Sequence, residues 1–430
     1  MGAGPTWPIW SVAALVVLAV MLPPALVTAM NLCLLLLAAS HAIGRREGLP
    51  PALWGGVWPL VALAVLGVVS ALLARALDPL HAASSGSDLY AVLKDGWYVI
   101  NPAIWLGVGF VLSRTAGQTV RTLRALVLAA AVLAALHALW FVLFPQLLDL
   151  NATEIRGVSG TGHYAAAVAL LILAAYRGCW GAVLRMPAAL AWACALLCAV
   201  SVVVSFSRTM WVVVLLGMPI AAGWLSRRPL RRLVLASLAI AATVAVLGAV
   251  VDTSTPQARQ SFLGKLARSW EELLPSDRMS LAEINANWRG HETARALATW
   301  AGGHAGHWVI GHGFGADVDV GLFKQLTPYP REAARYIPVL HNGFAYVLFK
   351  TGLLGLALYA CFLWNVGRRG YRLGQGSRPE PGRLLLASAV VLLPTTWVVS
   401  GAFSRSDLSP LLLLIGVLLA APPIHRDDHA

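Results

Sequence analysis

The sequence predicts an all-α integral membrane protein of about twelve transmembrane helices with one large loop on the outer side. Three observations predict it. Of the 430 residues, 58% are hydrophobic and 12% charged, whereas soluble globular domains carry roughly a quarter charged residues. Apolar runs of near-bilayer length recur along the chain, about 20 apolar helical residues being enough to span the hydrocarbon core. Lys and Arg gather in every second short connection, the bias that fixes orientation in a membrane.

The runs lie at 9–22, 24–42, 52–75, 97–112, 120–144, 161–176, 187–204, 209–225, 232–251, 342–364, 384–401 and 408–421. Pro23 and Pro24 mark either a tight hairpin or a kink in one long helix, so eleven spans is the alternative count. The opening MGAGPTWPIW has no Lys or Arg ahead of its first apolar run. It lacks the charged start of a cleaved signal peptide, and the first helix is expected to persist in the mature protein. Cys33, Cys179, Cys194, Cys198 and Cys361 fall in or beside apolar runs without metal-type spacing. They read as small hydrophobes.

The net charge of +13 is spread over short loops, which argues against nucleic acid as a partner. With both termini inside, five connections are basic: Arg45/Arg46, Arg114/Arg121/Arg124, Arg177/Arg185, Arg227/Arg228/Arg231/Arg232 and Arg368/Arg369/Arg372/Arg378/Arg383, opposed only by Glu47 and Glu380. The outside loops are then 76–96, 145–160, 205–208, 252–341 and 402–407. The chain divides into helices with short loops over 1–251, one large, partly helical outside loop over 252–341, and the last helices with a short inside tail over 342–430.

That large loop holds nine basic and eight acidic residues between Thr253 and Leu340. Being nearly neutral, it must bind anions through individual residues. QARQSFLGKLARSWEELL sets Phe262, Leu266, Trp270 and Leu273/Leu274 on one face, as in a helix lying on a membrane surface. A second helix is expected over NWRGHETARALATWAG, followed by a glycine-rich turn at GHGFG and the proline-marked TPYPREAARYIP.

Arg208 stands where two spans meet with almost no loop between them. A guanidinium fixed at headgroup depth suits phosphate, because its planar fork binds two oxygens at once. Snorkelling to lipid headgroups is the plainer reading. His341 stands at the mouth of a span beside Asn342. Imidazole, with an ordinary pKa near 6.5, is well suited to take a hydroxyl proton at neutral pH; a hydrogen-bonded boundary histidine is the alternative. His304, His307 and His312 lie among glycines without a nearby cysteine, and Asp317/Asp319 resemble the acidic pair of metal-dependent sugar transferases. Both patterns are weak, and neither metal nor cofactor is expected. Lys350 lies about nine residues into a span, where an ionisable group is functional, snorkelling or paired to another helix.

Taken in order, SFSRTMW from Ser205, an Arg-bearing helix, WVIGHGFG, and HNGFAYVLFKTGLLG from His341 resemble the shared region of the O-antigen ligases, O-antigen polymerases and related oligosaccharide transferases of bacterial envelopes. RGVSGTGHYAA from Arg156 looks like the stretch these proteins carry before their central helices, so the resemblance covers residues 150–365. The segment from Arg289 to Gly311 is a few residues longer than the family pattern, which leaves Arg289, the favoured choice, and Arg295 as candidates for the matching arginine.

In size and layout the chain is similar to the ligase, and the polymerase is the alternative within the superfamily. The resemblance implies a membrane glycosyltransferase of the bacterial inner membrane. It would move O-antigen from undecaprenyl diphosphate onto lipid A–core on the periplasmic side, inverting the anomeric carbon without metal. It implies His341 as general base and Arg208 and Arg289 on the diphosphate, with Arg295, Arg156 and Asn342 as further substrate contacts. A twelve-helix secondary transporter is the rival from another class. Against it stand the position of the large loop after the ninth span and the lack of an evident repeat between the halves.

Overall fold

The computed structural model describes residues 51–77, 89–113, 115–146, 162–224, 287–325, 333–403 and 408–420, with scattered positions between 13 and 36 and Val246, Glu283 and Ile284 besides. The spans expected at 9–22, 24–42 and 232–251 fall largely outside these residues, and the expected surface helix over 257–274 and Arg156 fall outside them entirely.

In chain order the helices are α1 (Pro51–Leu77), α2 (Leu89–Val111), α3 (Ala116–Leu143), α4 (His163–Ala175), α5 (Ala188–Val204) and α6 (Arg208–Ala221). Then follow α7 (Trp288–Ala301), α8 (Ala305–Ile310), β1 (Val318–Gln325), β2 (Ala333–Ile337), α9 (Gly343–Gly374), α10 (Glu380–Val399) and α11 (Ser409–Ala420). Among the described residues α1, α3, α9 and α10 are long and apolar enough to cross a membrane, and α4, α5, α6 and α11 are shorter apolar helices. The protein is mostly helical and multi-pass. The antiparallel pair β1–β2 is the exception to the all-α expectation, pairing Val318 with Ile337 and Gln325 with Ala333 around an irregularity between Asp319 and Lys324.

Apolar side chains gain nothing by leaving lipid for protein, so helices in a membrane associate through close packing. Small residues permit it here. A Cβ on Gly109 would strike the backbone of α11 at Leu413 and Val417, and one on Gly416 would strike Leu106 of α2. Gly370 and Gly382 bring α9 and α10 together in the same way. The alanine-rich α4 is buried along its whole length, against α3, α5 and α6.

Helices α6 and α10 run antiparallel, Gly217 facing Val391 and Gly223 facing Arg383. Arg208, which opens α6, therefore lies at the same end of the bundle as Ser400, which closes α10. Arg383 is at the opposite end, roughly 25 Å away at about 1.5 Å of rise per residue. Arg177 joins it there, its guanidinium 5.5 Å from the centre of the Trp224 ring. Two of the expected inside loops thus share one end of the bundle, and Arg208 occupies the other.

Candidate active site

His341 is gripped by three elements. From α7, the Glu292 carboxylate accepts the backbone N–H of His341 and lies 3.0 and 3.1 Å from its Nδ1. From the end of α10, Ser400 donates its N–H to the His341 carbonyl at 2.6 Å and its hydroxyl to the Leu340 carbonyl at 2.7 Å. Ser400 reaches both because it ends α10 in the left-handed region, φ 62°. From α9, Asn342 Oδ1 accepts the N–H groups of Phe344 and Ala345, which caps the helix immediately after His341. Glu292 is 1% exposed and the His341 side chain 48% exposed. The Nδ1 edge of the imidazole is thus fixed on a side chain that is nearly half exposed.

The capping role occupies the Asn342 oxygen and leaves its amide nitrogen for the expected substrate contact. Arg289 and Arg295 each stand one helical turn from Glu292 on α7, one before it and one after. Arg295 Nε donates to the Asp319 carbonyl at 2.9 Å, and His291 Nε2 lies 2.9 Å from the Val320 carbonyl. Both bonds fasten α7 to β1, and the terminal nitrogens of Arg295 remain beyond them. Arg208 reaches the same end of the bundle by the register of α6 against α10. His341, Arg208, Arg289 and Arg295 therefore gather at one end, whereas nothing described bears on Arg156.

The glycine-rich turn folds back against the helices and is no phosphate cradle. Gly352 interrupts α9 at φ 63°, which frees carbonyls one turn earlier. His312 N–H donates to Phe349 O and Gly313 N–H to Lys350 O, both at 2.9 Å. Phe314 N–H donates to Gly67 O at 3.1 Å, and Gly315 N–H to Asp95 Oδ2 at 2.7 Å. Every amide from 312 to 315 is thus committed to protein. Lys350 enters the same knot: its Nζ donates to Asp95 Oδ2 at 2.6 Å and to the Ala316 carbonyl, while Tyr346 OH donates to Asp95 Oδ1 at 3.0 Å. Of the three readings of Lys350, the structure supports pairing to another helix.

The two metal patterns are built into the protein in other ways. His304, His307 and His312 stack face to face at 3.8 and 4.1 Å between ring centres, and His312 stacks on Phe349 at 4.9 Å. Stacked rings present their nitrogens around the rim and not toward a common point. Asp319 gives both carboxylate oxygens to Arg335, each at 2.8 Å, and one to Gly321 N–H at 2.8 Å. The Arg335 hydrogen bonds hold its carboxyl down at about 2. Among the described residues, no group of three or more His, Cys, Asp or Glu side chains is arranged to hold a metal.

The segment from α5 through the middle of α9 carries these residues apart from Gly67, Asp95, Arg156 and Ser400. Residues 193–360 match the O-antigen ligase family. No curated protein sequence matches the chain. The O-antigen ligase match begins inside α5, takes in Arg208, α7, the hairpin, His341 and Lys350, and ends in α9 beyond Gly352. It supports a role in O-antigen processing of the ligase or polymerase type.

Glu292, Asp95 and Ser400 were not singled out by the sequence. Glu292 is the only acidic residue of α7, between two arginines at helical spacing, and that isolation was the available signal. Asp95 is one of two charges in α2, and Ser400 has no local signature.

Proposed function

We propose that the protein is an O-antigen ligase, transferring O-antigen polysaccharide from undecaprenyl diphosphate to an outer sugar of lipid A–core on the periplasmic side of the inner membrane. The observation that carries the reading is His341, held by buried Glu292 within the ligase-family region at the end of the bundle shared with Arg208, Arg289 and Arg295. The acceptor sugar hydroxyl oxygen attacks the anomeric carbon, and its proton passes to His341. The bond from that carbon to the diphosphate oxygen breaks, its electron pair leaving with undecaprenyl diphosphate. One displacement inverts the anomeric centre.

A sugar diphosphate is already a good leaving group, so stabilising the departing charge matters more than a strong acid. Arg208 and Arg289 supply it, with Arg295 beside them, and no metal is needed for the step. Both lipid carriers approach from the bilayer, and their sugars meet beneath the loop over 252–341. The test is the lipopolysaccharide pattern of a deletion strain. Loss of all O-antigen from lipid A–core, with lipid-linked polymer accumulating, is the expected result. Core bearing a single repeat assigns the polymerase reaction instead.

A further inference from the structure

We infer that Glu292 is a positioning residue that holds His341 in the tautomer protonated on Nδ1, making Nε2 the atom that receives the acceptor proton; this rests on the reading of His341 as the base. The backbone N–H of His341 is an obligate donor and claims one oxygen of Glu292. Nδ1 lies within hydrogen-bond distance of both oxygens of the same carboxylate. An ionised carboxylate only accepts, so a neutral imidazole facing it carries its proton on Nδ1 and its lone pair on Nε2.

Glu292 is buried, and its carboxylate is held by hydrogen bonds from His341, as buried polar groups generally are. Its helix presents Arg289 and Arg295 one turn to either side. The main chain around the imidazole is fixed independently by Ser400 at Leu340 and His341 and by the Asn342 cap. Glu292 therefore governs ring orientation and proton location more than the path of the chain. Its two contacts also join the arginine-bearing helix to the base, so the donor and acceptor halves of the site are set by one side chain.

The test uses purified full-length protein in lipid nanodiscs with Glu292→Gln, His341→Ala and the double variant. Gln keeps an oxygen for the His341 N–H but cannot accept from Nδ1 with a second one. For E292Q, kcat should fall at least about tenfold, with KM for the lipid-linked donor held within about twofold. The double variant should transfer no more slowly than H341A, because a residue acting only through His341 has nothing left to lose. If E292Q transfers at the wild-type rate while H341A is inactive, the inference fails and the base reading stands. If the double variant falls below H341A by the full E292Q factor, Glu292 acts by another route and the inference also fails. If H341A itself transfers normally, the base reading falls and takes the inference with it. Histidine nitrogen NMR of the unaltered protein, with the His341 signal assigned by its loss in His341→Gln, reads the tautomer directly. A proton on Nδ1 at neutral pH supports the inference, and a proton on Nε2 overturns it.

Discussion

Lys350 of α9 and Asp95 of α2 form an ion pair of 2.6 Å with each side chain 1% exposed. Asp95 also holds Gly315 N–H and Tyr346 OH, so one carboxylate joins two helices and the glycine-rich turn. Breaking a buried pair on one side strands the remaining charge at a cost of about 3–5 kcal/mol, whereas replacing both partners with apolar groups is far milder. Lys350→Met should lower the thermal unfolding temperature in detergent sharply, and K350M with Asp95→Leu should recover much of the loss. Wild-type unfolding of K350M would remove the pair as an anchor.

Gly352 carries φ 63° in the middle of α9, and a Cβ there would collide with the Val309 backbone. With ψ at −165° the residue lies in a region open essentially to glycine alone, where another residue is strained by roughly 1–3 kcal/mol. Gly352→Ala should therefore straighten α9 or expel the turn at 311–315, since the carbonyls of Phe349 and Lys350 would return to the helix. Cysteine placed at His312 should label faster with a thiol reagent in G352A than in the parent. Equal labelling would mean that the kink does not hold the turn.

Length and apolarity made α9 and α10 legible in the sequence, because a long run of Leu, Val and Ala has few other fates. His341 stands out in the sequence as a histidine at the mouth of a span beside Asn342. Its partner does not, since Glu292 lies 49 residues earlier and meets His341 only through the tertiary fold. Lys350 drew suspicion by its depth, but Asp95 lies 255 positions away. The β-hairpin escaped because its irregularity between Asp319 and Lys324 interrupts the alternation that marks a strand.

Arg335 holds the Asp319 carboxyl at about 2, below its ordinary value. A lowered carboxylate pKa adds stability that is present above the ordinary value and lost as pH falls through the lowered one. The hairpin should thus loosen only under strong acid. Asp319→Asn should leave the pH dependence of transfer unchanged over roughly pH 6 to 8, where the carboxylate is ionised throughout. Transfer should also survive excess EDTA, since Asp319 is already committed to Arg335. Abolition by EDTA and recovery with magnesium or manganese would make the acidic pair a metal site after all.

The proposed function puts Arg208 and Arg289 on the diphosphate. A charge-assisted hydrogen bond to a buried phosphate is worth about 1.5–3 kcal/mol, so Ala at either position should cut transfer at least tenfold. Lys should rescue poorly because it loses the bidentate fork. Both Ala variants should also bind undecaprenyl-linked donor more weakly. If Arg295→Ala weakens donor binding and Arg289→Ala does not, the family arginine is Arg295.

The most direct measurement is single-turnover transfer by His341→Ala, using protein that runs as a monodisperse detergent peak and binds donor normally. A positioned base contributes typically about 10²–10⁴-fold, so the rate should fall at least tenfold at every pH from roughly 6 to 8. Transfer at the wild-type rate across that range would contradict the general-base role and leave His341 as a hydrogen-bonded residue at the mouth of α9.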